Sequence, residues 1–442
     1  MDNPSAIVVG SGIAGMTAAY RLQQAGFTVR VLEAQSTIGG RMSCRRINGF
    51  TLNRAATLLA GQYEFLTGLI AEVGLGAKLE YRDFKIGTYR DGKIYSIRTN
   101  HMMMDSLFSG LLGWRSKWLM NRVLRDTAAA RKYLSFADLS LAAPIDNETA
   151  EAYALRRLNK ELLDYVVDPG IAALLATTAA RPSVVDFLFT IANYIGMGAY
   201  RYEGGIDFLI DELARRVPVE TDSRVQSVVE DAGGVEVSWE QNGTAKVERC
   251  SACVITTSAH QVPKLYPQLT QTQRDILNSH EYSTIMVGHF GLSTPPDIDA
   301  DYLQIPPCEI PDLINMYFPH KVGKSVVPPG KAMAVCYFSD PWSKARMECS
   351  DEKIIEDMLP SIERIIPNVR QQIEMTNIER WSPALYLSKP GSYKAMAAFQ
   401  KEINPASKVQ LAGDYFSFTS TNASAISGDV AARRIVASLT KQ

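Results

Sequence analysis

A glycine loop set between a strand and a helix constrains this chain more than any other feature. Residues 6–33 read as one strand, helix, strand unit: Ala6-Ile7-Val8-Val9, the loop Gly10-Ser11-Gly12-Ile13-Ala14-Gly15, a helix to about Ala25, then Thr28 to Glu33. Ala14, Ala18, Leu22 and Ala25 share one helical face, and Gly26 stops the helix. Gly10 permits the tight turn out of the strand, Gly12 lets the backbone approach a pyrophosphate, and Gly15 lets helix and strand pack closely. Phosphate then sits on the unpaired N–H groups of the first helical turn, around Ile13 and Ala14, where the dipole favours negative charge. Glu33 lies eighteen positions beyond Gly15, placed to accept hydrogen bonds from the adenosine ribose hydroxyls. An α/β fold with a Rossmann-like dinucleotide site follows.

The next residues choose between dinucleotides. After Leu32-Glu33-Ala34 comes Gly39-Gly40-Arg41, where two glycines bring backbone close to the cofactor and an arginine can hold a pyrophosphate oxygen. Here the chain resembles the flavin-containing amine oxidase superfamily, whose members follow the glycine loop with an L-E-A segment and a G-G-R motif. Leu411-Ala412-Gly413-Asp414 is similar to that family's second flavin motif, and Ser427-Gly428 with Ala431-Ala432 to the helix closing the site. The resemblance implies that Asp414 binds the ribityl and phosphate region and that the helix end near Ser424 and Ala425 points at the flavin. A positive helix end there would stabilise charge on reduced flavin.

Between these ends, Tyr202-Glu203-Gly204-Gly205 resembles the family's central glycine pair. Three strands follow, from Arg224, from Gly234 and up to Val254-Ile255-Thr256-Thr257, with turn signals at Gly233-Gly234 and Asn242-Gly243. They read as an antiparallel meander returning to the sheet. The resemblance implies an adenine-side contact at the Val225 backbone and a cofactor contact at Thr256. It also implies an amine oxidase or p-hydroxybenzoate hydroxylase-like architecture. A Rossmann-like FAD-binding domain would comprise residues 1–75, 203–262 and 400–442, and a discontinuous α+β substrate domain with a helical lid residues 76–202 and 263–399.

Amine oxidases of this superfamily place a lysine near the flavin, whereas the matching strand, Tyr282 to Phe290, has none. Arg380-Trp381-Ser382-Pro383-Ala384-Leu385-Tyr386 resembles the protoporphyrinogen oxidase and phytoene desaturase-like branch instead. That branch implies hydride removal from a C–H or N–H position of a bulky, largely apolar substrate. Catalytic candidates are His289 as proton acceptor or water holder, Tyr386, and Arg54. Arg54 stands where relatives carry an Asp-x-Gly pattern; a substrate carboxylate or carbonyl on one side, and the cofactor or a surface acid on the other, are equally good targets for it. Tyr194, Tyr200, Tyr202, Tyr386 and Tyr393 are candidates for an aromatic wall. Cys349 is the last cysteine and no histidine precedes His101, so the expected FAD is non-covalent.

Charge and composition remove other classes. Lys and Arg number 46 against 47 Asp and Glu, which excludes a whole-molecule field for nucleic acid. Six scattered cysteines make no disulfide framework and suit a reducing compartment. Cys250-x-x-Cys253 has no second pair or histidine cluster, so buried structural thiols are favoured over a redox or zinc site. The amino terminus shows no basic leader or long apolar run, which reads as a retained, cytoplasmic start. Residues 102–134 interleave Met, Leu, Phe and Trp with Arg and Lys, a pattern for a lid or for a membrane-peripheral surface.

The leading expectation is an FAD-dependent oxidase, dehydrogenase or desaturase with a hydrophobic small-molecule substrate. Oxygen or a quinone would be its electron acceptor, and it would act as a monomer or homodimer. The alternatives are an amine oxidase without the lysine, a non-catalytic escort protein of the same fold, and a redox-neutral isomerase.

Overall fold

Two sheets of opposite construction meet at one cleft. The computed structural model describes residues 3–194, 197–416 and 418–439, and the backbone alone of Tyr194. The first sheet has five parallel strands in the order Val219–Glu220, Thr28–Leu32, Ser5–Val9, Ala252–Ile255, Val409–Leu411. Its strands are short and rich in Val and Ile because both faces are covered. On one face, Ala6, Val8, Val29, Val31 and Val254 meet the helices Ile13–Gln24, Phe208–Arg216 and Thr421–Leu439. On the other, Ile7, Val9, Cys253 and Ile255 meet Val228, Val237 and Trp239 of the meander.

The meander differs from its sequence reading at its last strand. The run expected to continue to Thr257 divides at Ser251: Thr244–Cys250 pairs in the antiparallel ribbon and Ala252–Ile255 enters the parallel sheet beside Ser5–Val9. Cys250 and Cys253 therefore belong to different sheets, both buried and free, with burial pushing both thiols up.

The second sheet has seven strands, in the order Ile373–Trp381, Ile285–Leu292, Ala332–Phe338, Leu313–Tyr317, Tyr302–Gln304, Lys85–Arg90, Lys93–Arg98. Every pairing is antiparallel except that between Tyr302–Gln304 and Lys85–Arg90. One face packs Met286, Phe290, Met316 and Phe338 onto Ile354, Met358 and Ile362 of the helix Asp351–Glu363. The opposite face looks into the cleft. A helical region, including Met102–Phe108, Trp114–Ala130 and Val184–Tyr194, flanks this sheet and gathers around Val123, Tyr153, Ile171 and Phe187. Among the described residues no helix is long and apolar enough to cross a membrane, and no cluster of His, Cys, Asp or Glu could hold a metal ion.

Candidate flavin and substrate cleft

The glycine loop builds one end of the cleft through backbone alone. Gly10 takes φ +101°, which an L side chain rarely adopts. A Cβ on Gly15 would stand 1.9 Å from the Gly10 carbonyl oxygen, so close packing of helix and strand excludes any side chain there. A Cβ on Gly12 would meet nothing within 4 Å. Open space therefore lies in front of Gly12, and the helix Ile13–Gln24 has no side-chain cap to occupy its first-turn N–H groups. That is the cradle a pyrophosphate needs. Gly12, Ile13, Ala14 and Gly39 line the cleft.

Arg41 joins this end to the carboxy-terminal segment. Its guanidinium donates to Asp414 Oδ2 and to the Ala384 carbonyl, each at 2.6 Å. Asp414 is 4% exposed, so the pair is a charge-assisted contact in a largely desolvated place. Gly413 N donates to Ser427 Oγ at 2.9 Å, which ties the motif to the helix behind it. That helix begins at Thr421, earlier than the expected Ser424–Ala425 end. Thr421 and Ser424 face the cleft, while Ala425 is fully buried in the core beneath the parallel sheet. A Cβ on Gly428 would stand 2.1 Å from the Ala14 carbonyl, so the two helices touch backbone to backbone. Thr421 Oγ1 and Thr257 Oγ1 are buried on this cleft with no hydrogen-bond partner among the described residues. Open space at Gly12, uncapped N–H groups and these hydroxyls together fit a dinucleotide flavin.

Other sequence candidates, Thr256 apart, sit one layer back. The Glu33 carboxylate accepts from Ser11 N at 2.8 Å, Ser11 Oγ at 2.7 Å and Gln35 N at 2.9 Å. A carboxylate offers about four acceptor positions, so capacity for a ribose hydroxyl remains. Ala34 is half-buried beside it. Gly40 lies at φ +52° with a Cβ position facing Gly12 Cα at 3.8 Å. Val225 is buried at a bulge in the meander. Thr256 lines the cleft and donates to the Val9 carbonyl at 2.8 Å.

The three catalytic candidates do not come together on the cleft. His289 is fully buried; Nε2 lies 2.9 Å from the Asn53 carbonyl and Nδ1 3.4 Å from Asn377 Nδ2. Both ring nitrogens are committed, and burial lowers the imidazole's pKa, so it is a packed neutral histidine. Tyr386 is buried with its ring stacked on His280 at 4.7 Å, and burial raises its phenol. Arg54 turns to an internal acid, donating to Glu379 Oε2 at 2.8 Å, with its guanidinium 5.0 Å from the Trp381 ring. Trp381 Nε1 donates to the Arg54 carbonyl at 3.0 Å, so Arg54 orients a tryptophan that does line the cleft.

The aromatic wall is likewise made by residues the sequence did not single out. Tyr202 donates to the Thr57 carbonyl, Tyr393 to Asp186, and Tyr200 packs on Tyr81. The side chain of Tyr194 lies outside the described residues. Tyr63, Phe84, Phe189, Tyr337, Trp381 and Phe418 face the cleft instead, with Phe189 and Phe418 stacked at 4.0 Å. No described residue of 102–134 lines it; the helix Trp114–Ala130 packs behind Val184–Tyr194, which contributes Phe189, Thr190 and Asn193. What was legible was Trp381, inside a motif already quoted. Tyr337 and Trp381 stand on strands, Phe189 on a helix and Tyr63, Phe84 and Phe418 in loops, so wall membership is settled by tertiary packing, which no local pattern reveals.

A family model described as flavin containing amine oxidoreductase matches residues 13–436. Protoporphyrinogen oxidase 2, chloroplastic/mitochondrial, of Arabidopsis thaliana is 22% identical over 274 residues, 52% of this chain and 52% of that protein. The chain thus spans about half the length of that curated relative. Among solved structures, a putative protoporphyrinogen oxidase from Exiguobacterium sp. 255-15 superposes with a TM-score of 0.74 at 16% identity, covering 100% of both chains. Cyclohexylamine oxidase from Brevibacterium oxydans IH-35A gives 0.77 at 14% identity, covering 99% of this chain and 100% of that one. These likenesses bear out the two-domain α/β flavoenzyme fold, and the family match bears out FAD as the cofactor. The chain belongs to the flavin-containing amine oxidoreductase family.

Proposed function

We propose that this protein is an FAD-dependent oxidoreductase that removes a hydride from a C–H or N–H position of a largely apolar small molecule. One observation carries the reading: a single cleft is lined both by the dinucleotide motifs, Gly12, Ile13, Arg41 and Asp414, and by the inner face of the antiparallel sheet, Ile86, Ile285, Val287 and Trp381. Bound FAD supplies the two-electron acceptor. The chain's own part is positioning: Trp381, fixed by Arg54, and the Phe189–Phe418 stack hold an apolar molecule flat and displace water. No histidine, lysine or glutamate lines the cleft among the described residues, so orientation supplies the rate and the second hydrogen leaves as a proton to solvent. Oxygen or a quinone takes the electrons onward.

The test is anaerobic incubation of the yellow protein with metabolite extract, followed by identification of the compound consumed as the flavin bleaches. Bleaching only by primary, secondary or cyclic amines would favour the amine oxidase alternative. A colourless protein that cannot be loaded with FAD would overturn the proposal in favour of an escort role.

A second reading concerns location. Met103, Met104, Leu107, Phe108, Trp114 and Trp118 are exposed, Phe108 by 79% and Trp114 by 83%, beside Arg115, Arg122 and Arg125. Apolar and basic groups on one surface suit peripheral contact with an anionic bilayer. Sedimentation with phosphatidylglycerol vesicles, lost in a Phe108→Ser, Trp114→Ser variant that keeps its FAD, is the expected outcome. Equal sedimentation of the variant would remove this reading.

A further inference from the structure

On the inner face of the antiparallel sheet, the carboxamides that line the cleft fall in one transverse row. Leu313–Tyr317 runs through the middle of the antiparallel sheet, and Ile314, Met316 and Tyr317 around its centre are buried apolar or aromatic residues. Asn315 interrupts them. It is 2% exposed, it faces the cleft, and its Oδ1 has no hydrogen-bond partner among the described residues. A buried amide oxygen without a partner is costly, so such an atom in a binding cleft marks a place for a ligand donor.

Its neighbours sharpen this. Across the ladder Asn315 stands opposite Tyr337 on one side and Gln304 on the other. The Tyr337 hydroxyl is engaged by the Ala55 carbonyl at 3.3 Å. The Gln304 carboxamide also lines the cleft and makes no side-chain hydrogen bond among the described residues. Directly opposed residues have Cβ atoms about 5 Å apart, so two free carboxamides stand side by side. Each offers an acceptor and two donors. The row lies three strands from Trp381, or about 14 Å at the usual strand spacing.

Charge restricts what fits. Among the described residues lining the cleft the only ionised groups are Arg41 and Asp414, and these pair with each other at the cofactor end. An ammonium or carboxylate at the Asn315 row would be desolvated with no countercharge.

We propose that Asn315 and Gln304 form a recognition subsite for an uncharged group carrying an N–H or O–H donor, so that the substrate is a neutral, largely apolar molecule with one such group. The proposal rests on the reading of this cleft as the substrate site of a flavin enzyme. Oδ1 of Asn315 accepts from the ligand, and the Gln304 carboxamide meets an adjoining carbonyl or hydroxyl oxygen.

Calorimetric titration of the FAD-loaded protein with four probes of one skeleton tests it: naphthalene, 2-naphthamide, 2-naphthylmethylammonium and 2-naphthoate. The amide is expected to bind roughly tenfold tighter than naphthalene, and at least that much tighter than either ion. Asn315→Leu should bring the amide down to the affinity of naphthalene while naphthalene binding stays level. Asn315→Asp, which keeps the shape and adds a charge, should move the preference to the ammonium probe, and it carries the test alone if the leucine variant does not load FAD. Binding of naphthalene with no amide preference, or a preference untouched by both variants, overturns the subsite and leaves the flavin reading standing. Failure of all four probes on a fully FAD-loaded protein overturns both.

Discussion

The two walls of the cleft are specified in different ways. The cofactor wall is a matter of backbone: Gly10, Gly12, Gly15 and Gly428 act by having no side chain, Gly15 and Gly428 by letting a carbonyl approach Cα and Gly12 by leaving open space. The substrate wall is a matter of side chains, Trp381, Ile285, Tyr337 and Asn315, each drawn from a different strand of one sheet. A wall made by absence tolerates almost no change. A wall made by parity can be re-dressed residue by residue, which is how one fold hosts many substrates.

The largest expected effect breaks the first wall. Gly15→Ala places a methyl 1.9 Å from a backbone oxygen that has no room to move, and a stability loss of about 3 kcal/mol or more should appear as a collapsed melting temperature. If that variant melts like the native protein, the backbone account of the cofactor wall is wrong.

The second expectation concerns the anchoring of the substrate wall. Asp186, on the helix that supplies Phe189, is buried and accepts from Ser388 at 2.6 Å and Tyr393 at 2.8 Å. Burial, with the Asp146 carboxylate adding to it, raises its pKa to about 7 against those hydrogen bonds. The unfolded carboxyl titrates near 4. Between those values the folded state holds a proton that the unfolded state has released, so stability from this group is full below about pH 4 and is lost as pH rises through about 7. The loss is at most about 4 kcal/mol. Melting temperatures of the native protein and of Asp186→Asn, followed across that window, should converge or cross as pH rises; parallel curves would show that the group does not titrate there.

Next comes the hinge between the walls. Arg41→Met leaves Asp414 buried and unpaired, and FAD affinity should fall about 100-fold by fluorescence titration. The smallest effect is the most discriminating. Gly12→Ala meets open space at a helix N-cap and should change stability by about 1 kcal/mol or less, yet weaken FAD about tenfold by filling the cradle. Two alanines three residues apart would then separate the folding role of the loop from its binding role.

The same contrast explains how much was readable from the sequence. Gly10-x-Gly12-x-x-Gly15, Gly39-Gly40-Arg41 and Gly413-Asp414 are local strings, and their spacing carries the geometry because backbone conformation is a local property. Eight of the cofactor candidates, Gly12, Ile13, Ala14, Arg41, Thr256, Gly413, Asp414 and Ser424, lie on the cleft. His289, Tyr386 and Arg54 do not, because their surroundings are set by residues far along the chain: His289 meets the Asn53 carbonyl 236 positions away and Arg54 meets Glu379 325 positions away. Besides Trp381, one further clue to the other wall was present: an asparagine set among Leu313, Ile314, Met316 and Tyr317 is a polar residue in an otherwise apolar strand. Its meaning depends on Gln304 and Tyr337, which only the assembled sheet places beside it. The division of the meander at Ser251 was hidden for a similar reason, since both halves are extended and differ only in which partner they choose.

The strand order of the parallel sheet also sets a timetable. Its centre comes from residues 5–32, but its flanks arrive at 219–220, 252–255 and 409–411, and the helix that clasps Ile13–Gln24 is Thr421–Leu439. On the ribosome, the first glycine loop emerges almost a whole chain length before the strand and helix that complete it. Contacts so distant along the chain form late and slowly. FAD therefore finds its full binding site only after the strand Val409–Leu411 and the helix Thr421–Leu439 have been made and have closed on Ile13–Gln24.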